Sequence, residues 1–210
     1  MISAAALPQV SALLLAAGES RRMGATNKLL LELEGEPLVR RAARVLLASR
    51  LGRIVVVLGH ERERVAAALE GLALASVVNP DYAHGQMSSV HAGLGALPAP
   101  AAGVMICLAD QPLLTPADVD ALIAAFAGRG AKSIVVPVFE GRRGNPIVLA
   151  HEHRGAILEA NRNLGCKHLV TRNPELVLSV AWANDHVVRD LDSEDDVGAL
   201  EARAASSTIS

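Results

Sequence analysis

The stretch that decides the fold is Val10-Ser-Ala-Leu-Leu-Leu-Ala-Ala-Gly-Glu-Ser-Arg-Arg-Met-Gly-Ala-Thr-Asn-Lys-Leu-Leu-Leu31. Val10 to Ala17 is a largely apolar run with the length of a buried strand. Gly18 stops it. The loop that follows holds Ser20, Arg21, Arg22, Gly24 and Lys28. Leu15, Ala16, Ala17 and Gly18 close the strand, and the last three carry so little side chain that backbone could lie against a base and sugar. Backbone N–H groups of such a loop can cradle phosphate oxygens. Arg22 and Lys28 are suited to neutralising a polyphosphate, the first as a fork and the second as a point charge. A plain strand-to-helix turn with solvated basic residues has the same composition. No G-x-x-x-x-G-K-[ST] occurs, and no G-x-G-x-x-G opens a helix, so neither a Walker loop nor a dinucleotide fingerprint is present.

Working outward, Leu38, Val39, Ala42, Ala43, Leu46 and Leu47 recur at helical spacing after Pro37. Ile54 to Leu58 reads as a second buried strand, Glu61 to Leu69 as a helix and Ala75 to Val78 as a third strand. Val104 to Ala109 is a fourth, and Thr115 caps a helix over Pro116 to Ala127 with Asp118 in its first turn. This alternation predicts an α/β chain with a mostly parallel sheet covered on both faces. Ligands of such sheets bind beyond the carboxyl ends of the strands.

Other candidates fall at such ends. Asn79-Pro-Asp-Tyr-Ala-His-Gly-Gln-Met-Ser-Ser89 leads into a helix whose N–H groups favour anions, with Gly85 free to take a positive φ and Ser88 and Ser89 near the helix start. A helix-capping loop is the alternative. Asp110 follows an all-apolar strand, where a carboxylate is costly unless solvated, hydrogen-bonded or bound to a cation. Mg²⁺ prefers one or two carboxylates with phosphate oxygens and water, which makes Asp110 the first metal candidate. Ile134 to Val138 is a strand that Pro137 places at an edge or an end. Phe139-Glu-Gly-Arg-Arg-Gly-Asn-Pro-Ile-Val-Leu149 suggests a hairpin with Arg142, Arg143, Gly144 and Asn145 at its tip, fit to hold an anionic second substrate. Val187 to Asp192 reads as a short strand ending in acids, so Asp190 or Asp192 could supply a second carboxylate. Helix capping explains the same acids.

Leu15-Ala-Ala-Gly-Glu-Ser-Arg-Arg-Met-Gly24 with Asn27-Lys28 closely resembles the signature of the molybdenum-cofactor nucleotidyltransferases. The Ala-Ala-Gly form looks like the cytidylyltransferase branch, whereas the guanylyltransferase branch usually reads Ala-Gly-Gly. Asn79 to Ser89 resembles the family's nucleotide-pocket segment, and Asp110-Gln-Pro112 its Gly-Asp-x-Pro motif with Ala109 in place of Gly. Gly141 to Pro146 resembles the segment facing the pterin substrate. Asn163 stands where many members carry Asp, and Asp190 to Asp196 resembles the closing acidic segment. The resemblance implies a single three-layer Rossmann-like nucleotidyltransferase domain over residues 10–203, after an extension 1–9 and before a frayed tail 204–210. It implies Mg²⁺, CTP and molybdopterin-bound molybdenum, with pyrophosphate leaving and an apo-molybdenum hydroxylase as recipient. The named competitors are guanylyl transfer, transfer to a sugar or alditol phosphate, and a non-catalytic cofactor chaperone.

The chain has 210 residues, enough for one such domain. Aromatics make up 2 % against 51 % hydrophobic residues, so the core is built from Ala, Val and Leu. A net charge of −2 without a basic tract argues against nucleic acid as partner. No apolar run is long enough to span a bilayer, and Met1 to Gln9 lacks a signal-peptide pattern. Two cysteines, Cys107 and Cys166, form no disulfide framework, which fits a reducing cytoplasm.

Overall fold

The computed structural model describes residues 9–20, 26–98, 101–159, 166–191, 193 and 195–200, with backbone only at 166–168. In chain order the strands are β1 (Val10–Ala16), β2 (Glu32–Leu33), β3 (Glu36–Pro37), β4 (Ile54–Leu58), β5 (Ala75–Val78), β6 (Gly103–Leu108), β7 (Ile134–Phe139), β8 (Arg142–Arg143), β9 (Ile147–Ala150) and β10 (Val177–Ala181). The helices are α1 (Leu38–Leu47), α2 (Arg62–Ala68), α3 (Gln86–Ala96), α4 (Pro116–Ala127), α5 (His153–Glu159) and α6 (Cys166–Arg172). A last helical turn covers 195–200.

The main sheet runs β10-β7-β9-β6-β1-β4-β5, with β8 added to β7. β1 pairs in parallel with both β4 and β6, and β4 with β5. β9 is antiparallel to β6 and β7, and β10 is parallel to β7. The sheet is therefore mostly parallel, as the alternation of apolar strands and amphipathic helices predicts.

Strand periodicity divides the core into two layers. Ala12, Leu14 and Ala16 of β1 join Val56 of β4 and Met105 of β6 on one face, against Val39, Ala43 and Leu46 of α1 and Leu122 and Phe126 of α4. Leu13 and Leu15 join Val57 and Ile106 on the other, against Met87, Val90 and Leu94 of α3. Burial on both faces explains why these strands are continuously apolar instead of alternating. α3 lies close enough that a Cβ at Gly93 would meet Leu13 and Val57 at 2.8 and 2.9 Å.

α4 starts as its sequence predicts. Thr115 Oγ1 accepts from the Asp118 N–H while Asp118 Oδ2 accepts from the Thr115 N–H, a reciprocal cap with Pro116 in the first turn. His153 opens α5, its Nε2 lying 2.8 Å from Ser133 Oγ. Among the described residues no group of three or more His, Cys, Asp or Glu is placed to hold an ion.

Three expectations need correction. Pro137 is not at a sheet edge, because β7 has β10 on one side and β9 and β8 on the other. It sits where the antiparallel ladder changes partner, after Val135–Val148 and before Val138–Arg143, so its missing donor is not needed there. The hairpin tip is Glu140-Gly141, both at positive φ, and Arg142 and Arg143 lie on the returning strand. Residues 187–191 do not form a strand, and Asp192 lies outside the described residues. Asn184 Oδ1 accepts from the His186 N–H and opens a 3₁₀ turn over Asp185–Val188. The Val187 carbonyl is then taken by the Asn145 N–H at 2.8 Å and the Gln111 amide at 3.1 Å, so no ladder can use it.

Candidate active site

A cavity of about 480 Å³ opens where β1 and β6 end, within the range of small-molecule sites. Leu15, Ala17 and Gly18 form its floor, continuing directly from β1. The first crossover approaches this floor closely. The His60 N–H donates to the Ala17 carbonyl at 3.2 Å. A Cβ on Gly59 would lie 2.6 Å from the Ala17 Cβ and 2.8 Å from that of Tyr82, so only glycine lets these three segments meet. Ala16 itself is fully buried toward the opposite layer and forms no part of the lining.

The loop after Gly18 is tied at both ends of its described parts. Ser20, at φ 50°, accepts from the Lys28 N–H through its Oγ at 3.1 Å. Asn27 Oδ1 accepts from the Leu29 N–H and caps the 3₁₀ turn Lys28–Leu30. This turn aims Lys28 across the cavity at Asp110, where Nζ and Oδ2 lie 2.5 Å apart. Arg22 falls outside the described residues.

Asp110 follows β6. Its second carboxylate oxygen, Oδ1, is buried and meets no hydrogen-bond partner among the described residues. A carboxylate on the cavity lining, with one oxygen on a lysine and the other buried without a donor among the described residues, fits a hard divalent cation, which takes few protein ligands and completes its shell with phosphate and water. The Leu191 N–H donates to the Asp110 carbonyl at 2.9 Å, which brings the neighbouring Asp190, an exposed residue, alongside. Asp192 lies outside the described residues.

The opposite wall comes from Tyr82, Ala83, Gly85, Gln86 and Ser89. Gly85, at φ +98°, turns the chain into α3, whose N-terminus therefore faces the cavity and favours anions. Asn79 and Ser88 lie behind this wall. The Asn79 amide donates to Ser88 Oγ at 2.8 Å and to Ser89 Oγ at 3.1 Å, while its Oδ1 accepts from the Asp81 N–H. With its side chain so engaged and 2 % exposed, Asn79 holds the loop to α3 instead of reaching the cavity.

Leu15, Ala17, Gly18, Lys28, Gly85, Ser89 and Asp110, scattered over 96 positions' worth of chain between Leu15 and Asp110, thus converge on one cavity. Glu19, Tyr82 and Gln86 also line it, although their residue types alone carry no signal. Their place inside the two motif segments is what locates them. The β8 corner stands apart from this lining. Arg143 Nη1 donates to Thr171 Oγ1 at 3.2 Å, and Arg142 Nη2 lies 3.5 Å from the Val188 carbonyl. Gly144 abuts the Val187 carbonyl and Asn145 donates to it, so both pin the 3₁₀ turn. Asn163 is outside the described residues.

The chain matches the family model of the MobA-like NTP transferase domain over residues 12–177. It is 29 % identical over 192 residues to a nicotine blue oxidoreductase of Paenarthrobacter nicotinovorans, covering 89 % of this chain and 94 % of that protein. It is 38 % identical over 103 residues to a probable molybdenum cofactor guanylyltransferase of Natronomonas pharaonis, covering 49 % of this chain and half of that protein. The fold resembles a crystal structure of Rv0371c from Mycobacterium tuberculosis, with a TM-score of 0.80, 23 % identity and coverage of 93 % of this chain and 99 % of that one. That protein has also been crystallised as a complex with manganese.

Proposed function

The chain belongs to the MobA-like NTP transferase domain family, and from that premise we propose that it transfers CMP from CTP to molybdenum-bound molybdopterin. A phosphate oxygen of the acceptor attacks the α-phosphorus. The bond from that phosphorus to the bridging oxygen breaks, and pyrophosphate leaves with the electron pair.

The observation that carries this reading is the pairing of Lys28 with Asp110 at the cavity, with Asp110 Oδ1 buried and without a partner among the described residues. Lys28, and Arg22 by its place in the motif, hold the triphosphate and offset charge on the leaving group. Asp110, with Asp190 or Asp192, would hold Mg²⁺. When bound, that ion supplies charge neutralisation at the reacting and leaving phosphates. The α3 N-terminus, with Gly85 and Ser89, meets nucleotide oxygens, and the Ala17-Gly18 floor takes the nucleoside. Arg142, Gly144, Asn145 and Asn163 belong to the acceptor side, where Gly144 and Asn145 act by shaping the wall. No covalent nucleophile is required, since positioning and electrostatics dominate such transfers.

The likeness to a probable molybdenum cofactor guanylyltransferase favours one second reading, GTP in place of CTP. Calorimetry of CTP and of GTP, each with Mg²⁺, separates the two, with Lys28→Ala as control. Preference for CTP that Lys28→Ala weakens supports the proposal. Preference for GTP moves the assignment to guanylyl transfer. Pyrophosphate release in the presence of the pterin acceptor then separates an enzyme from a cofactor carrier.

A further inference from the structure

Asp118 does more than its helix requires. Thr115 and Asp118 already close the start of α4 between themselves, yet the same carboxylate takes two donors from far along the chain. Trp182 Nε1 donates to Oδ1 at 3.0 Å, and His186 Nδ1 lies 2.9 Å from Oδ2. Both donors stand on the segment 182–191, which leaves β10 and crosses to Asp110 and Gln111 beyond β6.

That segment is pinned along its length. The Trp182 N–H donates to the Val138 carbonyl at 2.8 Å. Val187 is fully buried, and its carbonyl accepts from the Asn145 N–H and from the amide of Gln111, itself 2 % exposed. Leu191 is fully buried, and its N–H donates to the carbonyl of Asp110. Beyond it, Ser193 and Asp196 exchange hydrogen bonds with each other. The strap therefore grips Asp110 through its carbonyl and Gln111 through its side chain.

We infer that Asp118 is a positioning residue that sets the Asp110 carboxylate through this strap. The inference rests on the proposed cation site at Asp110. Trp182, the single tryptophan of the chain, stands on the strap and reports on it.

The test compares Asp118→Asn, Trp182→Phe and His186→Phe with the wild type and with Asp110→Asn. Mn²⁺ affinity is read by electron paramagnetic resonance, CTP affinity without divalent ion by calorimetry, and Trp182 emission during Mg²⁺ titration. The strap variants are expected to lose about tenfold in Mn²⁺ affinity, the scale on which residues that orient ligands act. Their metal-free CTP affinity should match the wild type. Mg²⁺ should shift Trp182 emission in the wild type and not in Asp110→Asn. Should Asp118→Asn fold poorly, Trp182→Phe and His186→Phe still remove one donor each. Lowered melting temperature with wild-type Mn²⁺ affinity in all strap variants makes Asp118 merely structural and overturns the inference. Equal Mn²⁺ binding by wild type and Asp110→Asn overturns the cation site itself, and the inference with it.

Discussion

Lys28 Nζ and Asp110 Oδ2 lie 2.5 Å apart although 82 positions separate them in the chain. One comes from the 3₁₀ turn after the first loop and the other from the end of β6. β1 and β6 are hydrogen-bonded neighbours, so the segments leaving their carboxyl ends must meet. The pair is therefore a consequence of strand order, and it places a cation and an anion on one cavity. With about a sixth of each side chain exposed, the pair is open enough to be rearranged by a charged ligand.

Asp110→Asn should lower turnover by at least about a hundredfold, the scale on which single electrostatic groups act in transfer chemistry. The melting temperature should change little, because Lys28 stays at an open cavity and the amide keeps the carboxylate's shape. Steady-state rates and thermal melts on the same preparation check this. Undiminished turnover would remove Asp110 from the metal site.

Lys28→Ala should weaken CTP binding by about tenfold to a hundredfold, as expected for loss of a charge-assisted contact of a few kcal/mol. Lys28→Arg should restore little of it, since a planar fork does not replace a point charge aimed by a short 3₁₀ turn. Calorimetry with each variant decides the matter. Equal affinities for wild type and Lys28→Ala would separate the triphosphate from this loop.

Asp118 makes stability depend on acid. Burial alone would raise its carboxyl, but hydrogen bonds from Thr115, His186 and Trp182 outweigh this and hold it below the ordinary range. The unfolded chain then binds the proton more readily. The contribution is present above about pH 4 and is lost as pH falls through the depressed folded value. The gap in melting temperature between wild type and Asp118→Asn should be full at pH 7 and shrink below pH 4. A gap that stays constant from pH 7 to pH 3 would contradict this assignment.

Gly144→Ala should destabilise the fold by about 1–3 kcal/mol, the usual cost of forcing atoms into a packed site. Its Cβ would collide with the Val187 carbonyl, a backbone atom that also accepts from Asn145 and Gln111 and cannot yield without releasing both. Urea unfolding measures the loss. Gly141→Ala is the informative contrast: no atom of the described residues approaches that Cβ, so the cost expected there comes from its φ of +75°.

Cys107 should resist thiol reagents in the native state and react on unfolding. It is 1 % exposed, and burial pushes its thiol up, away from the reactive thiolate. Labelling with and without denaturant reads this directly.

The sheet was legible because its central strands are buried on both faces. Ala12 to Leu15 and Val55 to Val57 carry no polar residue, and apolar runs of that length are too short for a helix. The Thr115 cap was legible for the same local reason, since its partners lie within four residues. Residues 187–192 misled because Val-Val is a strand signal whose outcome depends on neighbours. Asn184 caps a 3₁₀ turn there, and Gln111 and Asn145 take the carbonyl that a ladder would have used. Asn79 and Ser88 were legible as one unit, but not as the wall's support behind the lining.

By itself the sequence determined the strands and helices, the loop after β1, and the residue types that suit an NTP and a divalent ion. These follow from local periodicity, capping and backbone preference, whose range is a few residues. Only the tertiary structure decided that β6 lies beside β1 and so brings Asp110 to Lys28. It also decided that Trp182 and His186 reach Asp118, and that Leu191 holds Asp110 from behind. Those contacts join residues tens of positions apart. Their closure is set by strand order and by the packing of helices on both faces, which no window of sequence contains.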